Sequence, residues 1–147
     1  MTPEPVKRLV VATDFSSTAE RALGVGIRFA KAFAAQDASA LFDVLSPDVD
    51  FRALTPGRAW EASSAKDVVD EVMLRHWIEP TNHIEALEWV EPGRSAGPHH
   101  RVGYRLRVRN DDGTFVVDQQ AYFEADNERI TWLRVMCAGW VPVDTTS

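Results

Sequence analysis

The stretch RVGYRLRVRNDDGTFVVDQQAYFEA, Arg101–Ala125, decides the fold. It alternates apolar and polar residues, breaks at NDDG, and alternates again. That pattern predicts a β-hairpin with strands Arg101–Arg109 and Thr114–Ala125. With NDDG as the loop, Arg109 faces Thr114, Arg107 faces Val116 and Arg105 faces Asp118. One face then carries Arg105, Arg107, Arg109, Asp118, Gln120 and Tyr122. The other carries Val102, Tyr104, Leu106, Val108, Phe115, Val117, Gln119, Ala121 and Phe123, and is the face expected to line an interior. Gln119 is its conspicuous polar exception and the Tyr104 hydroxyl is the second. A buried amide must find partners or it destabilises the core.

On the C-terminal side, DNE reads as a tight turn into a last long strand, RITWLRVMCAGWVPV. Leu133, Val135 and Cys137 are assigned inward. Trp132 and Met136 are assigned to an outer face suited to subunit contact, so a homodimer is expected. On the N-terminal side, HIEALEWVE alternates Ile84, Ala86, Glu88 and Val90 against Glu85, Leu87 and Trp89. Before it come three helical patterns. The first, STAERALGVGIRFAKAFAAQ, opens with a capping box at Ser17–Glu20. The second, DASALFDVLS, has Asp37 as N-cap and Pro47 beyond its end. The third runs from about Ser64 to Trp77 and is stopped by Pro80. A strand, DVDFRAL, lies between the second and third helices, with Val49, Phe51 and Ala53 on one side. Helices first and strands after argue α+β.

The chain of 147 residues is long enough for one domain with a real core. Its net charge of −6 argues against nucleic acid, which demands a basic face. One cysteine, Cys137, permits no intrachain disulfide. No apolar run approaches the ~18 residues of a membrane span. The start of the chain lacks the apolar run and cleavage site of a signal peptide, so a cytoplasmic location is expected. The division read from the sequence is an arm or extra strand over 1–16, a single domain over 17–143 and a tail over 144–147.

Two resemblances bear on the fold. RLVVATDFSSTAERAL, Arg8–Leu23, resembles the opening of a universal stress protein, a nucleotide-binding α/β fold. The likeness stops near residue 35. DASALFDVLSPD stands where the next parallel strand should be, and GVGIRF, Gly24–Phe29, lies inside a helical pattern and cannot cradle phosphate. From about Ile27 to Val143 the chain resembles the nuclear transport factor two-like superfamily, and within it the SnoaL-like proteins. FAKAFAAQDASALFDVLSPDVDFRALTPGRAW, SSAKDVVDEVMLRHW and DQQAYFEADNERITWLRVMCAGWVPV carry that resemblance.

The second resemblance implies a cone-shaped, curved antiparallel sheet closed by three N-terminal helices, a cystatin-like roll around an apolar pocket. Its implied lining is Phe33, Phe51, Ala53, Trp60, Met73, Trp77, Trp89, Leu106, Ala121, Phe123, Leu133, Val135 and Cys137. His76, Tyr104 and Gln119 are the candidate catalytic residues. In approximate register, Gln119 falls where ketosteroid isomerases carry a carboxylic acid, and Ala53 falls where they carry the catalytic base. An amide there can donate a hydrogen bond but cannot usefully exchange a proton. Asp50 lies on the same strand but points the other way.

The superfamily's epoxide hydrolases use an Asp–Arg–Asp set, for which Arg52, Arg58, Arg105 and Arg107 are candidates. Arg105 and Asp118 read better as a cross-strand ion pair on the polar face. His99 and His100 lack further ligands at metal spacing. No metal and no cofactor are expected. The expected function is a SnoaL-like pocket for an apolar, ring-bearing small molecule, with cofactor-free isomerase, cyclase or dehydratase chemistry. The alternative is a non-catalytic module that sequesters a ligand or mediates protein contacts. A cavity above ~300 Å³ with Gln119 reaching into it favours the first. A cavity packed shut by Trp60, Trp89 and Phe123 favours the second.

Overall fold

The computed structural model describes residues 20–94 and 97–143. The 1–16 arm, the serine of the Ser17–Glu20 capping box, the 144–147 tail and residues 95–96 lie outside the described residues. Helix α1 covers 20–34 of the described chain, followed by α2 (Ala38–Val44). Strands β1 (Leu45–Thr55) and β2 (Arg58–Ala62) precede α3 (Asp67–Trp77). Four strands complete the order: β3 (His83–Arg94), β4 (His100–Asn110), β5 (Gly113–Asp126) and β6 (Arg129–Pro142). They form one six-stranded sheet in the order β2-β1-β6-β5-β4-β3. Among the described residues no helix is long and apolar enough to cross a membrane.

The sheet is mixed, which corrects the expectation of a wholly antiparallel one. β1 and β6 run parallel, pairing Phe51 with Leu133 and Ala53 with Val135. These two strands are separated in sequence by the rest of the fold. No short hairpin ties their directions together, so a parallel pair is accessible.

The hairpin forms in the register its loop demands. Arg109 pairs with Thr114, Arg107 with Val116 and Arg105 with Asp118. β5 returns to β6 through Asn127 and Glu128, both at positive φ (54° and 64°), as a two-residue turn matched to strand twist requires. On the outer face each arginine of the row meets an acid. Arg105 bonds Asp118 at 2.6 and 3.0 Å, Arg107 bonds Glu88 at 2.8 Å and Arg109 bonds Glu85 at 2.7 Å. These solvated pairs contribute little stability.

β3 departs from simple alternation. Its register shifts between Ile84 and Ala86 and again between Leu87 and Trp89. Each bulge inserts one residue, so Ile84, Leu87 and Val90 share the inner face and pack against the core. Trp89 is turned outward, opposite Arg105, and is exposed. It is therefore not a pocket wall. α2 is capped as expected, with Asp37 Oδ1 accepting from the Ala40 N–H at 3.1 Å. It ends at Val44, and Pro47 falls within β1, where the pairing to β6 is interrupted between Leu45 and Asp50.

One core joins the helices to the inner face of the sheet. Val25, Phe29 and Phe33 of α1, Leu41 and Val44 of α2, and Val68, Val69, Val72 and Met73 of α3 are buried with Tyr104, Leu106, Phe123 and Leu133. Gly26 lets α1 approach closely: a Cβ there would stand 2.8 Å from the Phe123 ring and 3.2 Å from Val102 Cβ. Overpacking costs about 1–3 kcal/mol, while alanine's helix propensity returns up to about 1 kcal/mol. Gly26→Ala is expected to lower stability by about 1–2 kcal/mol, read from the urea midpoint. A stabilised variant would show that the helix can rise off the sheet at no cost.

Candidate functional site

Where α3 ends over the sheet, a cavity of about 160 Å³ remains. It is lined by Phe33, Thr55, Pro56, Trp60, His76, Trp77, Ile78, Leu106, Val117, Gln119, Cys137, Gly139 and Trp140. Its size falls below the ~300–1,000 Å³ of drug-sized pockets, and matches an engineered cavity of about 150 Å³ that holds one benzene ring.

The cavity owes its shape to a backbone irregularity. Val117 pairs with Trp140 but Gln119 pairs with Cys137, so β6 carries one extra residue there, Ala138 and Gly139 standing opposite Asp118 alone. Gly139 has φ +94°, and a Cβ there would stand 3.0 Å from Pro56 Cγ. The position suits glycine on both counts. The bulge also returns Trp140 to the cavity wall, where unbroken alternation from Leu133 through Cys137 would turn it away.

α3 supplies the upper wall. From Asp67 to Trp77 it is wound as a π-helix, and its final bond runs from the Ile78 N–H to the Met73 carbonyl. The Ser64 hydroxyl accepts from the Asp67 N–H at 3.1 Å at its start. Its last two residues, His76 and Trp77, both line the cavity. Phe33, Phe51 and Trp60 surround the Trp77 ring, with centroids 6.2, 5.9 and 6.3 Å away.

Four polar groups matter here. Gln119 is only 3% exposed and Tyr104 is fully buried. The Tyr104 hydroxyl donates to Gln119 Oε1 at 2.6 Å. Burial, with a smaller contribution from Cys137, pushes that hydroxyl's pKa well above the ordinary tyrosine value, so it stays protonated and remains a donor. Among the described residues no acceptor bonds Gln119 Nε2. Trp77 is 9% exposed, and its buried Nε1 has no hydrogen-bond partner among the described residues. By contrast Trp60 Nε1 is satisfied, donating to Thr55 Oγ1 at 2.8 Å.

The fourth group is His76, exposed at the helix end with its ring 5.6 Å from that of Trp60. Its Nδ1 bonds the Glu71 carbonyl. A carbonyl only accepts, so the proton of the neutral ring sits on Nδ1 and Nε2 keeps its lone pair. Among the described residues the cavity lining contains no Asp, Glu, Lys or Arg.

Of the residues expected at the site, the fold brings Phe33, His76, Trp60, Trp77, Leu106, Gln119 and Cys137 to one cavity. Tyr104 reaches it through Gln119. Phe51, Met73, Ala121, Phe123 and Leu133 are packed in the core instead. Ala53 and Val135 are buried in the core as well, beneath a groove of about 640 Å³ on the outer side of β1, β2 and β6. Asp50 is exposed and paired with Arg134 at 3.2 Å, and among the described residues no carboxylate lines the cavity to act as a base. His99 stacks on Trp132 with centroids 4.3 Å apart and lies 3.0 Å from Glu124, while His100 packs on Phe123. Thr55, Pro56, Ile78, Gly139 and Trp140 were not anticipated. Only Val117, on the apolar hairpin face, carried a sequence signal.

No family model matches the chain, and no curated protein matches it in sequence. Solved structures do resemble it. An isomerase-like protein from Bacillus subtilis superposes with a TM-score of 0.64 at 13% identity, covering 80% of this chain and 86% of that one. An LEH-like epoxide hydrolase from M. tuberculosis gives 0.58 at 15% identity, with coverage of 80% and 83%. A candidate SnoaL-like polyketide cyclase from Jannaschia sp. CCS1 gives 0.58 at 14% identity, with coverage of 81% and 86%. The chain therefore shares its α+β fold with these isomerase-like, epoxide hydrolase and SnoaL-like proteins over most of both chains.

Proposed function

We propose that the chain is a small-molecule pocket protein of the SnoaL-like type, taking a compact, largely apolar molecule about one ring in size. The carrying observation is the cavity of about 160 Å³, walled by Phe33, Trp60, Trp77, Leu106 and Trp140. His76 is the base for cofactor-free acid–base chemistry, of the kind used in isomerisation, cyclisation or dehydration. Its Nδ1 is committed to Glu71 and its Nε2 is left to accept a proton.

The test uses Cys137, the one cysteine of the sequence, which stands on the cavity wall. Alkylation of Cys137 by iodoacetamide is followed by mass spectrometry while ring-sized fragments such as toluene, phenol and cyclohexanone are titrated in. Saturable protection by at least one of them is the expected result. Unchanged alkylation with all of them removes the pocket reading. Any turnover then found is expected to fall about 10²–10⁴-fold in His76→Ala, with the fragment's Kd little altered.

A second reading concerns the outer groove. Leu54 and Met136 there are 53% and 54% exposed, beside the Arg52–Glu61 ion pair. Apolar residues beside both signs of charge suit a second copy of the chain. A dimer in sedimentation equilibrium at micromolar protein, dissociated at least tenfold more readily in Met136→Glu, is the expected behaviour. A monomer across that range sets the dimer aside.

A further inference from the structure

We propose that the Arg58 guanidinium is a carboxylate-binding site at the mouth of the cavity, so that the ligand is a ring-bearing monocarboxylate. Its ring fills the cavity and its carboxylate stands outside on a short arm. This rests on the pocket reading above and deepens it. Register brings Arg58 to the mouth. It pairs with Thr55 across the β1–β2 hairpin, and Thr55 and Trp60 both line the cavity. Alternation puts Arg58 on the same side of β2 as Trp60, two residues nearer the hairpin tip and just beyond the lining.

The guanidinium is exposed yet held. Its Cζ lies 3.6 Å from the Trp60 ring centroid, a cation–π contact that uses none of its N–H donors as hydrogen bonds. Trp60 Nε1 donates to Thr55 Oγ1 at 2.8 Å, and the Thr55 hydroxyl donates to the Arg58 carbonyl at 3.4 Å. Arg52, Arg105, Arg107, Arg109 and Arg134 each pair with an acid, whereas Arg58 has no acidic partner among the described residues. Glu61, the nearest acid in sequence, lies on the other side of β2, 3.3 Å from Arg52. Three features narrow the ligand. The cavity volume admits about one ring. Among the described residues its lining offers no Lys or Arg, so a carboxylate on the ring itself would be buried without a counter-charge and must be carried out on an arm. One guanidinium matches one carboxylate through paired N–H···O bonds, and a phosphate dianion would leave charge unmatched beside a chain of net charge −6.

The experiment compares 3-phenylpropionate with 3-phenylpropanamide, which has the same shape without the charge. Both are titrated against the full chain, with protection of Cys137 from iodoacetamide as the readout. The ratio of the two dissociation constants cancels the packing they share. At low ionic strength the carboxylate is expected to bind about fivefold more tightly in wild type. That advantage is expected to vanish in Arg58→Gln, to shrink in about 0.5 M sodium chloride, and to survive in part in Arg58→Lys, which keeps the charge without the fork. Arg52→Gln, on the outer face, is expected to leave the ratio as it is. Benzoate, which has no arm, is expected to bind more weakly than 3-phenylpropionate.

If Arg58 only packs on Trp60, Arg58→Gln weakens both probes alike and the ratio stays put; that result, or equal binding of the two probes in wild type, removes the carboxylate site while the pocket stands. Tighter binding of benzoate than of 3-phenylpropionate overturns the placement of the charge outside the cavity. Tighter binding of 2-phenylethyl phosphate than of 3-phenylpropionate overturns the carboxylate assignment. Protection by neither probe overturns this inference, and with toluene, phenol and cyclohexanone also silent it removes the pocket reading as well.

Discussion

Replacing Phe123 by alanine is expected to destabilise the chain by about 3–5 kcal/mol. The ring is fully buried on β5, beside the cross-strand partner Leu133 and against His100, whose ring centroid is 5.5 Å away. It also occupies the space that a side chain at Gly26 would take. Truncation therefore opens a void where α1 meets the sheet. Domains of this size have only about 5–15 kcal/mol to lose, so the urea midpoint should fall steeply. The pairing with Gly26 gives a sharper check. Gly26→Ala should cost less in a Phe123→Leu background, because the smaller side chain makes room for the new methyl. Additive effects would show that helix and ring do not share that space. A loss under about 1 kcal/mol for Phe123→Ala would contradict the packing described.

The second large effect concerns Tyr104 and Gln119. Tyr104→Phe leaves Gln119 Oε1 buried without its donor, and Gln119→Leu leaves the Tyr104 hydroxyl buried without its acceptor. Each single change is expected to cost about 1–3 kcal/mol. The double change removes both polar groups, so its cost should be well below the sum, giving a clear coupling in a double-mutant cycle. The pH dependence follows from the same pair. Burial raises the Tyr104 hydroxyl's pKa far above the ordinary value of about 10. Above that pH the unfolded chain releases this proton and the folded chain keeps it, so the unfolded state binds fewer protons. The stability tied to the neutral hydroxyl is fully present below about pH 10 and is lost as pH rises beyond it, by up to about 1.4 kcal/mol per unit. Tyr104→Phe should flatten that alkaline limb. An identical slope in the variant would place the titration elsewhere.

The hairpin was the most readable part of the fold because a short loop fixes register, and register fixes faces. The Arg105–Asp118 pair follows from NDDG and alternation alone. The same register sets Tyr104 opposite Gln119, so the two polar exceptions on an apolar face satisfy one another. Trp89 was misplaced for the complementary reason. Two bulges in β3 change a period of two into a period of three, and nothing in HIEALEWVE marks Glu85 or Glu88 as the inserted residues. The winding of α3 was equally hidden, since its buried residues Val68, Val69, Val72 and Met73 suit an ordinary helix as well as a π-helix. The site was half readable. Gln119, His76 and Trp60 stand out by residue type, whereas Gly139 and Trp140 are placed by the β6 bulge, a main-chain event, and Pro56 by the turn between β1 and β2.

That bulge separates the frame of the cavity from its furniture. Ala138 and Gly139 shape one side of the hollow through backbone geometry, apart from the side chains that line the rest of it. Val117 and Trp140 can therefore be exchanged for larger or smaller residues to retune what fits, while the strand that shapes the space stays as it is. Descendants of this chain, natural or engineered, could change their chemical preference through a few wall positions without renegotiating the fold.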